Sequence, residues 1–413
     1  MTRASILKEP LVLANGTTLP NRFLKSATSE QLGDRNRNPK PGLAKLYANW
    51  AKGGTGLLIS GNLMVDRSAL GEPFNVVLDE QSDLNAFRKW TAATLINGTH
   101  FWAQLNHPGK QSPAILSKEP VAPSAIELGR GLSKAFNKPR AMSEREILDV
   151  IDRFITAAKL AKQVGFTGVQ IHGAHGYLVS QFLSPNHNQR TDKWGGSLEN
   201  RMRFVIEIYK GIRQAVGKDF PVAIKLNSAD FQKGGFTQED SMHVVDALVQ
   251  AGIDFIEISG GSYERPVMMT KSAATQKDST KKREAYFLDY AEDLRKRSNV
   301  PLAVTGGFRT SKGMEEAINS GATDMVGMAR PLILKPDLPL AAIASADFEF
   351  TYTEPTTGNP KLDRAVMLNM VWFEKQMWRI AKNKKPKHKL SPWLTAASAI
   401  WTVMTKPPVP RRA

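Results

Sequence analysis

The feature that most constrains the fold is an alternation of short strand-like runs with helix-like segments along most of the chain. The runs are largely apolar, and most of the segments between them show helical periodicity. The clearest such segment begins at Ser143, which forms a capping-box pattern with Glu146. The strand candidates number eight and lie at residues 23–28, 55–61, 100–105, 167–173, 221–226, 254–260, 301–307 and 324–330.

Eight strands that alternate with helices predict a parallel sheet closed into a (β/α)8 TIM barrel. A doubly wound open sheet is the alternative, but it would need a phosphate-binding glycine fingerprint after the first strand, and none is present. Asn15-Gly16, between apolar residues, predicts an N-terminal β-hairpin. We therefore expect an α/β chain with a barrel over residues 1–345 and a helical, basic C-terminal extension over 346–413.

The formal net charge of +17 is concentrated in the tail, which from Lys375 onward has ten Lys and Arg residues and no Asp or Glu. Because most of the excess lies outside the strand-forming region, no nucleic-acid partner is expected. The tail contains a basic run followed by a short apolar segment with Trp393 and Trp401. Packing on the chain's own barrel or on a partner subunit is expected there, with peripheral membrane contact as the alternative.

The absence of cysteine excludes disulfides, thiolate zinc sites and cysteine-ligated iron–sulfur clusters. The N-terminus lacks the apolar run of a signal peptide, and no stretch approaches the roughly 20 apolar residues that span a bilayer. A cytoplasmic protein is expected.

Polar residues gather where the predicted strands end, which is where the active sites of such barrels form. His172, His175 and Tyr177 follow the fourth strand, while Gln104 and Lys225 lie near the ends of the third and fifth. The two histidines are interpreted as metal ligands, as structural residues or, preferably, as hydrogen-bond donors to an oxygen anion with Tyr177 as an acid. Lys225 is either a structural ion-pair partner or a fixed positive charge that faces an electron-rich ring.

The seventh and eighth strands end in Gly306-Gly307 and Ala329-Arg330. Glycines at a strand end are often simple tight turns. Together with an arginine on the neighbouring strand, however, they predict a phosphate site, because backbone N–H groups and a guanidinium bind phosphate oxygens.

One long segment, HGAHGYLVSQFLSPNHNQRTDKWGGSLENRMRF at residues 172–204, closely resembles the signature of the old yellow enzyme family, the FMN-dependent NAD(P)H oxidoreductases or ene-reductases. LPNRFLKSAT, AQLNHPGK and VTGGF with GMAR match the same family in order and spacing. The resemblance runs from about Ile6 to Pro339. It implies a barrel that binds FMN and is reduced by NADH or NADPH.

The resemblance also implies roles for individual residues. His172 and His175 would bind the carbonyl oxygen of an α,β-unsaturated substrate, flavin N5 would deliver a hydride, and Tyr177 would supply the proton. The remaining positions would bind the cofactor, with the ring contacted by Ser26, Ala27, Thr28, Ser29, Asn62, Gln104 and Lys225, and the phosphate by Gly307, Ala329 and Arg330. Ser29 replaces the Thr or Cys of many members, and Lys225 replaces a frequent Arg.

An NADH oxidase or a quinone or nitro reductase is the alternative activity, because the first half-reaction is the same. A non-catalytic protein that retains a barrel and associates with membranes or nucleic acid is an alternative of another class. The expected partners are a small enone or quinone-like substrate and further copies of the chain in a homo-oligomer. Substrate choice is expected to depend on the loops 106–142 and 262–282, the second of which is predicted to lie over the mouth.

Overall fold

The computed structural model describes residues 5–129, 132–260 and 287–405. Eight parallel strands follow one another around a closed sheet, which confirms the predicted (β/α)8 barrel. Each lies within its predicted run or extends one residue beyond it. The strands are β1 (Phe23–Lys25), β2 (Leu57–Ile59), β3 (His100–Asn106), β4 (Gly168–Gly173), β5 (Val222–Asn227), β6 (Phe255–Ser259), β7 (Leu302–Thr305) and β8 (Met325–Met328). The predicted loop 262–282 lies outside the described residues.

Helices surround the barrel and continue into the C-terminal extension. They are α1 (Pro41–Lys52), α2 (Leu84–Thr94), α3 (Glu144–Gln163), α4 (Leu178–Leu183), α5 (Leu198–Val216), α6 (Gln238–Ala251), α7 (Leu288–Arg295), α8 (Ser311–Asn319), α9 (Arg330–Leu334), α10 (Leu338–Ala344), α11 (Pro360–Ala365), α12 (Leu368–Ala381) and α13 (Pro392–Thr405). Short additional strands occur at Leu63–Met64, Val76–Val77, Val121–Ala122 and Arg140–Ala141.

Helix α3 shows how local sequence positions these elements. Ser143 accepts a hydrogen bond from the Glu146 backbone, and the Glu146 carboxylate accepts one from the Ser143 backbone, so the predicted capping box is present. These contacts satisfy N–H groups that the first helical turn leaves without partners. The apolar stripe then faces inward, with Ile147, Ile151 and Phe154 all buried.

The N-terminal hairpin closes the amino-terminal end of the barrel. Leu11–Val12 pairs antiparallel with Thr18–Leu19, and Gly16 takes a left-handed conformation with φ +84° in the turn, as the sequence predicts. Its leucines pack in one buried cluster with residues at the starts of the strands, among them Phe255 of β6 and Met325 of β8. Access to the barrel is therefore from the opposite end.

The C-terminal extension packs back onto the barrel. The extension is helical, as expected, and its helices α11 and α12 are separated at Met367, whose φ of +49° interrupts the helical backbone. Helix α12 then packs beside α1, and the Trp378 indole donates a 2.8 Å hydrogen bond to the Glu30 carbonyl. Helix α12 therefore covers part of the barrel.

Close packing at the end of α1 gives a test of this arrangement. A Cβ on Gly53 would lie 1.9 Å from the Pro336 carbonyl oxygen, in the turn that joins α9 to α10. Gly53→Ala is therefore expected to destabilise the FMN-loaded protein by about 1–3 kcal/mol, as overpacking does. Thermal unfolding followed by circular dichroism measures the change. Gly71→Ala is the matched control, since its Cβ would have no neighbour closer than 3.6 Å. Equal Tm values for both variants would contradict the packing.

Candidate active site

A buried ion pair lies inside the barrel, towards its open end. The Lys225 ammonium lies 3.0 Å from Glu257 Oε1 and donates a 2.7 Å hydrogen bond to Ser26 Oγ. Ser26 and Thr305 donate to the same carboxylate oxygen at 2.5 and 2.7 Å. Burial by itself raises the pKa of Glu257, but Lys225 and these donors outweigh it and hold that pKa below its usual range. Glu257 is therefore ionised, and it balances the charge of Lys225.

Two glutamines extend this network across the barrel. Gln170 Nε2 donates to Glu257 Oε2 at 2.8 Å, and Gln104 Nε2 donates to Gln170 Oε1 at 2.7 Å. This series of hydrogen bonds ends at Gln104 Oε1, a fully buried acceptor with no hydrogen-bond partner among the described residues. A buried acceptor of this kind costs free energy unless a ligand supplies a donor. Because Gln104 lines the central cavity, its free oxygen fits a bound group that carries N–H donors.

The two histidines and the tyrosine lie together on one wall of the cavity. The His172 ring centroid is 5.1 Å from that of His175 and 4.8 Å from that of Tyr177. The turn after β4 brings them together, with His175 at φ +62° followed by Gly176 at φ +77°. His172 Nδ1 accepts a hydrogen bond from the Ala174 backbone, which leaves Nε2 as its protonated nitrogen.

Both imidazoles are held in the neutral form. Burial is the main cause that lowers the pKa of His172 well below its usual value, and the neighbouring His175 and Lys225 add to it. Burial and the Lys225 charge lower the pKa of His175 to about 3. His175 Nε2 engages Ser259 Oγ at 2.8 Å. At neutral pH this wall therefore carries uncharged N–H donors rather than imidazolium ions.

The central cavity has a volume of about 310 Å³, at the lower end of the range for cofactor and ligand sites, about 300–1,000 Å³. Every predicted site residue except Gly307 lines it, and these residues are Ser26, Ala27, Thr28, Ser29, Asn62, Gln104, His172, His175, Tyr177, Lys225, Ala329 and Arg330. Gly307 lies in a smaller adjoining cavity, which Ala329 and Arg330 also line.

The adjoining cavity has the features expected of a phosphate site. Gly306 and Gly307 adopt φ +99° and +98°, a backbone conformation that side chains rarely allow. Arg330 forms a 2.6 Å ion pair with Glu354 of the extension. Arg309 also lines the cavity, and the sequence analysis did not identify it.

Helix α12 contributes a wall that sequence reasoning missed. Met370, Phe373, Glu374 and Met377 line the central cavity together with residues of the barrel. The one available signal is Glu374 itself, because it is an acidic residue on the otherwise apolar stripe that contains Phe373 and Met377. Without knowledge of the break at Met367, that signal does not point to the site.

Two buried carboxyl groups on this side were also missed. Burial raises the pKa of Glu374 well above its usual value, nearby Glu72 raises it further, and a 2.9 Å hydrogen bond from Gln31 opposes them only in part. Burial likewise raises the pKa of Glu72 to about 7, although Ser29 donates a hydrogen bond to it. The cavity lining therefore combines the Lys225 cation with two carboxyl groups whose pKa values are raised.

Comparison with known proteins identifies one family. The model of the NADH:flavin oxidoreductase / NADH oxidase family matches residues 7–345. The chain is 40% identical over 82% of its length to an NADH-dependent flavin oxidoreductase, iliE, of Neonectria sp. (strain DH2), but it spans only 47% of that protein. A protein of the same name from Hypocrea jecorina (strain QM6a) is 36% identical, with 89% of this chain and 94% of the relative covered.

A solved structure resembles this protein in both fold and sequence. The old yellow enzyme homologue from Zymomonas mobilis superposes with a TM-score of 0.71 at 26% identity, which covers 86% of this chain and 97% of that chain. The family's cofactor is FMN, with NADH or NADPH as reductant, and the free acceptor of Gln104 and the paired glycines fit such a group. The chain belongs to the NADH:flavin oxidoreductase / NADH oxidase family, the family of the old yellow enzymes.

Proposed function

We propose that the protein is an FMN-dependent NAD(P)H oxidoreductase that reduces the C=C bond of α,β-unsaturated carbonyl compounds. The observation that carries this proposal is the wall formed by His172, His175 and Tyr177, where two neutral donors stand beside a phenol in one cavity. A carbonyl oxygen and the carbon next to it are a substrate that suits such a wall.

We propose that the predicted cofactor residues hold FMN in these two adjoining cavities. When bound, FMN supplies the hydride that passes from the nicotinamide to the alkene. Gln104 Oε1 would accept a hydrogen bond from the ring, and Lys225 would donate one while Glu257 balances its charge. Gly307, Ala329 and Arg330 would bind the phosphate in the smaller cavity, where Arg330 would exchange its contact with Glu354 for the ligand.

The histidines are proposed to hold the substrate oxygen and stabilise the negative charge that develops on it. Neutral imidazoles donate hydrogen bonds without becoming acids themselves, so the proton is left to another group. Tyr177 is that group in the proposal, because its ring lies 4.8 Å from His172 and its side chain lines the cavity. It would protonate the α-carbon as the hydride reaches the β-carbon.

An NADH oxidase or a quinone or nitro reductase is the second candidate, since the family includes NADH oxidases. The same residues would serve the first half-reaction, and oxygen or another acceptor would replace the alkene. A cytoplasmic location and a homo-oligomeric state stay predictions.

Tyr177→Phe tests the proton donor. Anaerobic stopped-flow measurements follow the flavin absorbance after NADH or NADPH is added, and then after cyclohexenone. We expect reduction by the nicotinamide within about twofold of wild type, and enone-driven reoxidation slowed by about 10²–10⁴-fold because the acid is lost. Tyr209→Phe, on a buried ring of α5 outside the cavity, is the control. Enone-driven reoxidation at the wild-type rate in Tyr177→Phe would refute the role of Tyr177. Wild-type flavin that only oxygen or quinone reoxidises would favour the second candidate.

His172→Ala tests the oxygen-binding donors. We expect kcat/KM for the enone to fall by about 10²–10³-fold, the usual effect of removing one oxyanion donor. His243→Ala, on the exposed surface of α6, should leave it unchanged. Because burial keeps both site histidines neutral, with the pKa of His175 at about 3, neither should titrate between pH 5 and 8. A transition near pH 6.5 that vanishes in His172→Ala would show a charged imidazole and contradict the proposal.

A further inference from the structure

Helix α13 exposes large apolar side chains in the part, up to Trp401, whose side chains the structure describes. The exposed fractions are 58% for Trp393, 71% for Leu394 and 68% for Trp401, whereas Thr395 and Ala396 are buried. A helix on the surface of a globular protein normally does the reverse, with its apolar stripe against the core. The inverted pattern indicates that the outer side of α13 meets something other than water.

The exposed residues form one continuous surface. Positions 393, 394, 397, 400 and 401 lie at the spacings that bring residues to the same side of an α-helix. We call this surface the tryptophan face, which comprises Trp393, Leu394, Ala397, Ile400 and Trp401. All five residues are exposed. Continuous exposed apolar patches of this kind mark interaction sites.

The tryptophan face belongs to an element that is anchored to the barrel cover. The Lys375 ammonium of α12 donates to Ser398 Oγ of α13, and the Trp372 indole donates a 2.9 Å hydrogen bond to the Leu390 carbonyl. Gln376 and the backbone of Lys387 exchange two hydrogen bonds of 2.9 and 2.8 Å. The face is thus presented in a fixed orientation before any partner binds.

A cluster of positive charge lies next to the tryptophan face. The segment between α12 and α13 carries five exposed lysines, Lys382, Lys384, Lys385, Lys387 and Lys389. No acidic residue follows Glu374 in the sequence, so nothing nearby along the chain neutralises them. The apolar tryptophan face and the adjacent lysines together favour a partner that has an apolar layer next to an anionic layer.

We propose that the tryptophan face docks on an anionic lipid bilayer, with α13 lying in the plane of the membrane surface. Tryptophan prefers the boundary between headgroups and acyl chains, and lysines near a membrane are attracted to anionic headgroups. None of the helices in the described residues is long and apolar enough to cross a membrane, and α13 has 14 residues. A second copy of the chain fits less well, because it carries the same net charge of +17 and two such chains repel each other.

Flotation of the FMN-loaded, full-length protein with vesicles tests this proposal. We compare pure phosphatidylcholine with a mixture that contains about 30% phosphatidylserine. The double variant Trp393→Ser, Trp401→Ser should lose at least tenfold in partition to the anionic vesicles. Leu148→Ser, Leu340→Ser is the matched control, since both of those leucines are about half exposed elsewhere on the surface. The control should partition within twofold of wild type.

A charge variant tests the proposed attraction between the lysines and anionic headgroups. Lys384→Glu, Lys385→Glu should reduce binding to anionic vesicles at least tenfold at low salt, and added salt should weaken wild-type binding. Lys312→Glu, an exposed lysine on α8, is the control. Unchanged flavin absorbance and Tm in all variants show that the fold is kept.

Three results would overturn the proposal. The first is equal wild-type binding to neutral and anionic vesicles, and the second is equal loss in the tryptophan variant and its control. The third is the absence of vesicle binding by the wild-type protein. That result counts whether or not the protein forms a dimer that the double variant Trp393→Ser, Trp401→Ser dissociates. Such a dimer would assign the face to a contact between copies. None of these results bears on enone reduction, so the proposed activity is tested separately.

Discussion

The ion pair between Lys225 and Glu257 is the interaction on which the site depends, because neither charge is stable alone inside the barrel. Taking both from water costs free energy, which Coulomb attraction offsets only when the remaining hydrogen-bonding capacity is also satisfied. Ser26, Gln170 and Thr305 meet that need from three other parts of the barrel wall. Closure of the barrel and assembly of the site are therefore the same event.

The balanced pair also determines the chemistry available above it. Lys225 is close enough to both site histidines to disfavour their protonation, and burial acts in the same direction. The two histidines consequently offer hydrogen bonds without acidic protons, so a proton has to come from another group of the cavity. Donation and proton supply are thus divided among different groups in one small cavity.

Much of this arrangement could be predicted from the sequence, because a closed parallel barrel brings all strand ends to one rim. Because β4 and β5 are adjacent in an eight-stranded barrel, the residues at their ends are neighbours. The N-terminal hairpin could also be predicted, since Asn15-Gly16 is a local turn signal. Glu374 could not be placed in the same way, since its position depends on the backbone break at Met367 and on packing between distant segments. Glu72 reaches the cavity from a loop without periodicity, which sequence patterns cannot position.

Helix α12 gives the cavity a wall that is not part of the barrel. A change in this helix would reshape the substrate space without altering the sequence of the strand ends. The shape of the substrate space can therefore vary through the extension, separately from the strand-end residues of the barrel. Relatives with matching strand-end motifs but different extensions should consequently be treated as candidates for different substrates.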